Sequence, residues 1–428
     1  NVPITASDGG DITLKSDSIQ LLNSRVLTLD TTGDITLEPN ATTFGEELTF
    51  SSTAINIVSG ASAKPGSLAV GNATNTSAIT FAAAQDVNGP ITVYGGIVNI
   101  DANLTSAATT GNGITIQGQR ILQDDGVDAT TQGGDISYTA ANFVSTADRE
   151  AVIDLAGSGG NRAVLNANGG DILLAGSYGS GGAAGASERA IGFTTADLIT
   201  TGSGKISLTG DATNSGNTSN SSWGMQPNDA RVITDAGDIT LIMTGGSATV
   251  NSRGLALDGN SLKLLSSSGT ITIRDQKPTG LTGTYSGLYL KPSTTNAIAF
   301  GADGASVVSS SSDIVIEADK AAFDGPATVV ETTGSFTLRP VGDDFLSSVS
   351  FSTARLALGS GVSGLTIGKA SNADGTSDAN VTISSDISVA GPITIYGGFI
   401  TVSEDLISAS STGTGIQITG TKYLQNPG

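Results

Sequence analysis

The residues most suited to chemistry are aspartates that follow glycine in a recurring Gly-Asp-Ile phrase. The phrase begins at Gly10, Gly33, Gly134, Gly170 and Gly237. A ladder of carboxylates can bind calcium or serve as the acid and base of a glycosidase. In the competing interpretation, glycine supplies a turn and aspartate hydrogen-bonds the turn backbone. We favour the turn interpretation, because Lys205, Thr270 and Ser335 interrupt the series.

Other catalytic candidates are few. The chain has no histidine and no cysteine, which excludes zinc sites, histidine bases, cysteine nucleophiles and disulfides. The pairs Asp124-Asp125 and Asp343-Asp344 are the nearest approach to paired carboxylates. Adjacent residues on a strand face opposite sides, so neither pair converges by itself. The single tryptophan, Trp223, is either a ligand platform or a residue that packs its loop. We predict no catalytic, cofactor-binding or metal-binding residues and no enzyme activity.

Calcium is the one ion that the composition raises. The segments 124–128 and 374–378 space aspartates as oxygen ligands, but neither completes an EF-hand loop with its terminal glutamate. The calcium-binding repeat Gly-Gly-x-Gly-x-Asp is also absent from the sequence. We therefore predict no cofactor and leave surface calcium open.

Composition and charge limit the partners. The 428 residues carry a formal net charge of −20 at pH 7, which disfavours binding to nucleic acid or to anionic lipid. No apolar run approaches the ~20 residues of a membrane span. We expect no nucleic-acid partner and no membrane insertion in this segment.

A long duplication organises the chain. Residues 89–96 return as 391–398, and Thr110-Gly111 and Leu122-Gln123 return as Thr412-Gly413 and Leu424-Gln425, always 302 residues apart. Residues 3–125 therefore match 305–427, and 126–304 lie between them. Because a whole protein would rarely stop part-way through a repeat, we interpret the sequence as a window on a longer tandem array.

A shorter period lies within each copy. Ile12, Ile19, Val26 and Ile35 each open a short alternating run, as do Ile91, Val98, Leu104 and Ile114, and each set spans 23 residues. Three short strands per turn, with apolar residues inward and threonine outward, predict an all-β fold, a right-handed parallel β-helix or β-solenoid forming an elongated rod.

The region 126–304 keeps the pattern with longer coils. Ile136, Ile172, Ile206, Ile239 and Ile271 lie 32 to 36 residues apart. The extra residues fall in polar stretches such as 177–182 and 214–220, which predict loop insertions that leave one face of the stack. Because the pattern never stops, we predict one continuous solenoid over 1–428.

Five segments of the sequence are similar to known repeat proteins: the Gly-Asp-Ile-Thr-Leu phrases at 10–14, 33–37 and 237–241, and the segments 365–369 and 391–398. Through these segments the chain resembles the repeat regions of giant bacterial surface adhesins of the filamentous-haemagglutinin type and exported β-strand-repeat proteins. The resemblance covers essentially the whole chain. It implies export to the cell surface or extracellular space, a β-helical shaft, and a role in adhesion, biofilm or surface motility. The expected partners are a host-cell, glycan or abiotic surface, or further copies of the chain.

Three functional hypotheses follow. The first is a non-enzymatic structural shaft or adhesive repeat region. The second is a self-assembling extracellular filament or sheath subunit, and the third is a polysaccharide-acting β-helix enzyme. No signal peptide opens the sequence, and we expect any export signal to lie outside this segment.

Overall fold

The computed structural model describes residues 2–21, 24–58, 64–146, 150–158, 160–180, 188–215, 222–246, 252–278, 281, 284–295, 297–301, 310–375 and 378–425. The chain divides into two compact units. Unit 1 contains residues 1–143, 151–179 and 191–207, and unit 2 contains residues 144–150, 180–190 and 208–428. The prediction of one continuous solenoid over 1–428 stays a prediction.

Short strands dominate the N-terminal half of the sequence. They are β1 Val2–Thr5, β2 Ile12–Lys15, β3 Leu27–Asp30, β4 Ile35–Glu38, β5 Leu48–Phe50, β6 Ile55–Ile57, β7 Leu68–Val70, β8 Ile79–Phe81, β9 Gln85–Val87, β10 Ile91–Tyr94, β11 Ile97–Ile100, β12 Leu104–Ser106, β13 Asn112–Gly118, β14 Arg120–Gln123, β15 Asp128–Thr130, β16 Asp135–Phe143, β17 Ala151–Leu155, β18 Ala163–Asn166, β19 Ile172–Tyr178, β20 Glu188–Phe193, β21 Ala196–Ile199 and β22 Ile206–Asp211.

The C-terminal half continues in the same way. Its strands are β23 Ser222–Pro227, β24 Asp229–Thr234, β25 Ile239–Thr244, β26 Ser252–Ser266, β27 Ile271–Gln276, β28 Leu288–Pro292, β29 Ile298–Phe300, β30 Ile314–Ala318, β31 Ala321–Phe323, β32 Thr328–Val330, β33 Ser335–Arg339, β34 Val349–Phe351, β35 Leu356–Leu358, β36 Gly364–Ile367, β37 Val381–Ile383, β38 Ile387–Val389, β39 Ile393–Val402, β40 Leu406–Ser408 and β41 Ile416–Gln425. A short 3-10 helix within the described residues covers Ala370–Ala373.

In unit 1, seven strands stack in parallel, and four of them follow a Gly-Asp-Ile phrase. The order β2, β4, β7, β10, β13, β16, β19 places the first apolar residue of each strand beside its equivalent in the next coil. These residues are Ile12, Ile35, Leu68, Ile91, Ile114, Ile136 and Ile172, and each is at most 4% exposed. Burying slim aliphatic side chains in such columns supplies the driving force for stacking.

Two further strands complete each coil. After β10, the chain forms β11 and β12, and these pair in parallel with β14 and β15 of the next coil. In unit 2, the order β25, β27, β30, β33, β36, β39, β41 repeats the stacking of unit 1. The predicted all-β parallel β-helix is therefore confirmed in each unit.

One predicted strand is wrong. Residues 19–21, predicted to open the second strand of the first coil, form no strand. The preceding segment instead bonds the loop after β4: Asp17 Oδ1 accepts the backbone N–H of Ala41 at 2.6 Å, and the Asp17 carbonyl accepts that of Gly45 at 2.6 Å. A side loop competes here with strand pairing.

The predicted insertions are only partly described. Ser177 and Tyr178 extend β19, whereas residues 181–187 and 216–221 lie outside the described part of the chain. Trp223, expected to belong to a loop, lies on β23, where it is in register with Arg253 of β26. The ends of the second copy, residues 305–309 and 426–427, are also outside the described part.

Candidate functional site

The Gly-Asp-Ile aspartates join each coil to the next. Oδ1 of four of these aspartates, and of Asp313 in the related Ser-Asp-Ile phrase, accepts the backbone N–H of the residue at the equivalent corner one coil later, over 2.8–3.0 Å. The fifth, Asp34, instead accepts the hydroxyl of Ser67 at 2.8 Å. The pairs are Asp11 with Asp34, Asp135 with Asp171, Asp171 with Lys205, Asp238 with Thr270, and Asp313 with Ser335. The aspartate therefore binds backbone, as the turn interpretation expects, but in the neighbouring coil. Because the partner is a main-chain N–H, Lys205, Thr270 and Ser335 can stand at the receiving corner.

Buried hydroxyl groups close the same corner from the other side. Thr200 Oγ1 donates to the Gly170 carbonyl at 2.6 Å, and Ser266 Oγ donates to the Gly237 carbonyl at 2.8 Å. The glycine itself is required by close approach: a Cβ on Gly170 would lie 2.4 Å from the Gly134 carbonyl oxygen. Glycine, aspartate and hydroxyl together satisfy the corner's backbone groups, and buried backbone groups without partners would be costly.

The paired carboxylates do not converge on one another. Asp125 Oδ2 accepts the hydroxyl of Ser158. Asp124 is exposed and lines a cleft to which Asp125 does not contribute. Asp343 is exposed. Asp344 Oδ1 accepts the side-chain N–H of Asn372 at 2.9 Å. Burial raises the pKa of Asp344, and the nearby Asp378 carboxylate raises it further.

A charged cleft of about 310 Å³ lies on unit 1. Asp101, Asp124, Asp154 and Arg120 line it, and we call it the Asp101 cleft. Burial raises the pKa of Asp101, and Asp124 and then Glu47 add to the rise. Among the described residues, no group of three or more acidic side chains is arranged to hold a metal ion. The calcium candidate 374–378 includes residues 376–377, which lie outside the described part.

Among the described residues of unit 2, the acids Asp275 and Glu188 are each 0% exposed. Asp275 Oδ2 accepts the backbone N–H of Leu255 at 2.9 Å, and Oδ1 accepts the hydroxyl of Tyr285. Burial outweighs these bonds and raises the pKa of Asp275 to about 7. The hydroxyls of Ser215 and Ser145 lie beside the Glu188 carboxylate. Burial raises the pKa of Glu188, and the Glu150 carboxylate adds to the rise. Neither acid lines the clefts described in this section, which favours structural roles.

The candidate binding site is a second cleft of about 310 Å³ on unit 1. We call it the Tyr94 groove. Its floor comes from three successive coils, because Tyr94 at the end of β10 lies in register with Gln117 on β13, and Gln117 with Thr139 on β16. Tyr94 and Thr139 are half-buried, whereas Gln117 is exposed. Stacking thus lines up residues that are 22 or 23 positions apart in sequence.

The rim of the Tyr94 groove consists of residues 73–76, Gln119 and Asn142. Asn75 is 5% exposed and holds its loop against β10 by donating Nδ2–H to the Tyr94 carbonyl at 2.7 Å. Asn142 adopts a left-handed conformation at φ 64°, a conformation that asparagine tolerates better than most residues. None of the described residues lining the groove is charged. In a chain of net charge −20, this neutrality distinguishes the groove.

The stacked parallel strands of each unit place the protein among parallel β-helical proteins. No family model matches the chain, and neither curated proteins nor solved structures contain a match. Within the described residues, there is no helix with the length and apolar character needed to cross a membrane.

Proposed function

We propose that this chain is a non-enzymatic structural and adhesive repeat region of a large bacterial cell-surface or extracellular protein. The observation that carries the proposal is the repeated corner, in which an aspartate binds the next coil's backbone N–H and a hydroxyl binds the glycine carbonyl. These groups are used to extend a stack rather than to assemble a reaction centre. The resemblance to filamentous-haemagglutinin-type repeats supports the same role.

The physical properties suit a surface scaffold. Continuous backbone pairing within each unit gives many small, nearly independent units of stability, since each coil contacts mainly its neighbours. Outward hydroxyl residues and the net charge of −20 favour solubility over lateral aggregation. The partner is a host-cell, glycan or abiotic surface.

Force spectroscopy tests the scaffold role. The chain, pulled from its two ends, is expected to lose coils in successive steps, because neighbouring coils are held by similar sets of bonds. A coil of 23 residues would release a contour length of about 80 Å when extended. Extension in one abrupt event, with no resistance before it, would contradict the scaffold role.

Retention of chain-coated beads under flow tests the adhesive role. Beads coated with the folded chain should be held by cells or glass, whereas beads coated with urea-unfolded chain should not. Release of sugars from a polysaccharide, abolished by Asp124→Asn, would instead support an enzyme that uses the Asp101 cleft. Regular helical assemblies in electron micrographs would support the filament alternative.

A further inference from the structure

We propose that the Tyr94 groove binds a neutral saccharide. This inference rests on the proposed adhesive function and deepens it by naming a ligand class and the residues that recognise it. The groove's volume of about 310 Å³ lies at the lower end of the ~300–1,000 Å³ typical of small-ligand sites. A short oligosaccharide segment fits this scale.

The first argument is the hydrogen-bonding capacity of the groove. Gln117, Gln119 and Asn142 are exposed, and within the described structure their side-chain amides form no hydrogen bond with another residue. An amide presents both donors and acceptors. Sugar hydroxyls are also both donors and acceptors, so these three amides can each exchange hydrogen bonds with the hydroxyls of a bound sugar.

The second argument is the tyrosine. A sugar ring has faces of C–H groups that need an apolar surface, and an aromatic side chain combines such a surface with a polar tip. Tyr94 is half-buried and lines the groove beside the amides. The Asn75 bond to its carbonyl and its place in β10 fix the backbone from which the ring projects. Such preorganisation reduces the entropy lost on binding.

The third argument selects neutral sugars over acidic ones. No arginine or lysine is among the described groove residues, so nothing there compensates a carboxylate or sulfate. The chain's negative charge repels anionic polymers in addition. The Asp101 cleft, with its three aspartates and Arg120, lacks this neutral character and serves as an internal contrast.

The second copy supplies matched substitutions. Thr419 and Thr421 stand where the first copy has Gln117 and Gln119, and Thr419 is in register with Tyr396 as Gln117 is with Tyr94. Threonine at these positions is therefore compatible with the coil. The double variant Q117T/Q119T removes two amides while keeping residues that the scaffold already accepts.

The experiment is titration calorimetry with a panel of neutral and anionic oligosaccharides. At least one neutral oligosaccharide should bind the parent chain, and Q117T/Q119T should weaken its affinity at least tenfold. Tyr94→Ala should weaken it similarly, whereas Tyr94→Phe, which keeps the ring, should retain most of it. Gln132→Thr, an exposed position outside the groove, is the control and should leave affinity unchanged. Unchanged melting temperatures establish that the variants fold.

Three results would overturn the inference: no binding by any neutral sugar, equal binding by the folded Q117T/Q119T variant, or a preference for anionic sugars. The bead assay separates this failure from failure of the proposed function. If beads are retained although no neutral sugar binds, the groove assignment fails and the adhesive function stands. If beads are not retained although a sugar binds through the groove, the adhesive function fails and the groove assignment stands.

Discussion

The two copies of the long repeat, residues 3–125 and 305–427, share a strand pattern but differ in where their charged side chains lie. Lys15 on β2 pairs with Glu38 on β4 in the first copy, with 3.1 Å between Nζ and Oε1. At the equivalent positions the second copy has Glu317 on β30 and Arg339 on β33, so the signs are exchanged. The strand register determines which side chains are neighbours in both copies, whereas the charges of those side chains differ between the copies.

The loops that contain Thr43 in the first copy and Asp344 in the second also differ in charge. In the first copy Thr43 donates its hydroxyl to Asn75 Oδ1 at 2.9 Å, in a neutral setting beside the Tyr94 groove. In the second copy Asp344 and Asn372 stand in these places, and Asp374 and Asp378 follow in a longer loop. Aliphatic columns and glycine corners are thus shared, whereas the outward loops carry the chemical difference. Function that depends on the groove should belong to the first copy.

The largest expected effect is common to both copies and separates inward from outward positions. Ile91 and its counterpart Ile393 are both 0% exposed, the first between β7 and β13 and the second between β36 and β41. Ile91→Asp or Ile393→Asp would bury an unpaired charge and should destabilise its coils by about 4 kcal/mol or more. Thr92→Asp, at the half-buried outward position next to Ile91, should cost less than about 1 kcal/mol. Melting and limited proteolysis measure all three variants, and equal losses at the inward and outward positions would contradict the register.

The next difference concerns the exchanged ion pairs. Glu317 has a side chain 7% exposed and binds Arg339, 2.6 Å from Oε1 to Nη2, and also Arg274. Burial alone would raise the pKa of Glu317, but the two arginines outweigh it and lower that pKa. Glu317→Gln should cost about 2 kcal/mol at pH 7, less than a fully buried pair because both arginines are partly exposed.

The pH dependence and a matched variant test that ion pair. Because the folded-state pKa of Glu317 is lowered, its stabilisation is present above the unfolded-state pKa and is lost as pH falls through the folded-state value. Urea unfolding should therefore show a larger Glu317→Gln effect at pH 7 than at pH 3. Glu38→Gln, in the exposed pair, should cost about 0.5 kcal/mol or less. A pH-independent effect at Glu317 would show that packing, rather than charge, stabilises this position.

The sequence predicted the fold because its determinants are local and repeated. Alternation around Ile35, Ile91 and Ile114 fixes the inward face, and glycine fixes the corner. The strand predicted at Ile19 failed because alternation cannot reveal that Asp17 bonds the loop after β4. The Tyr94 groove was missed because its floor joins residues from different coils. Comparing outward positions at the 22- to 23-residue spacing would have aligned Tyr94, Gln117 and Thr139.

The smallest expected difference concerns the acidic loop of the second copy. Burial raises the pKa of Asp344, and the Asp378 carboxylate raises it further. The ionised Asp344 carboxylate therefore destabilises the folded state. This loss of stability develops as pH rises from the unfolded-state pKa to the folded-state pKa. Asp344→Thr introduces the first copy's residue, and Thr43 shows that a hydroxyl can bond the neighbouring asparagine. We expect a gain of about 0.5 kcal/mol at pH 7 and none at pH 3, measured by urea unfolding. Thr43→Asp, the reverse exchange, should lose stability at pH 7 alone. If both exchanges are neutral at pH 7, solvent screens the loop charges, and the copies differ in ligand chemistry without differing in stability.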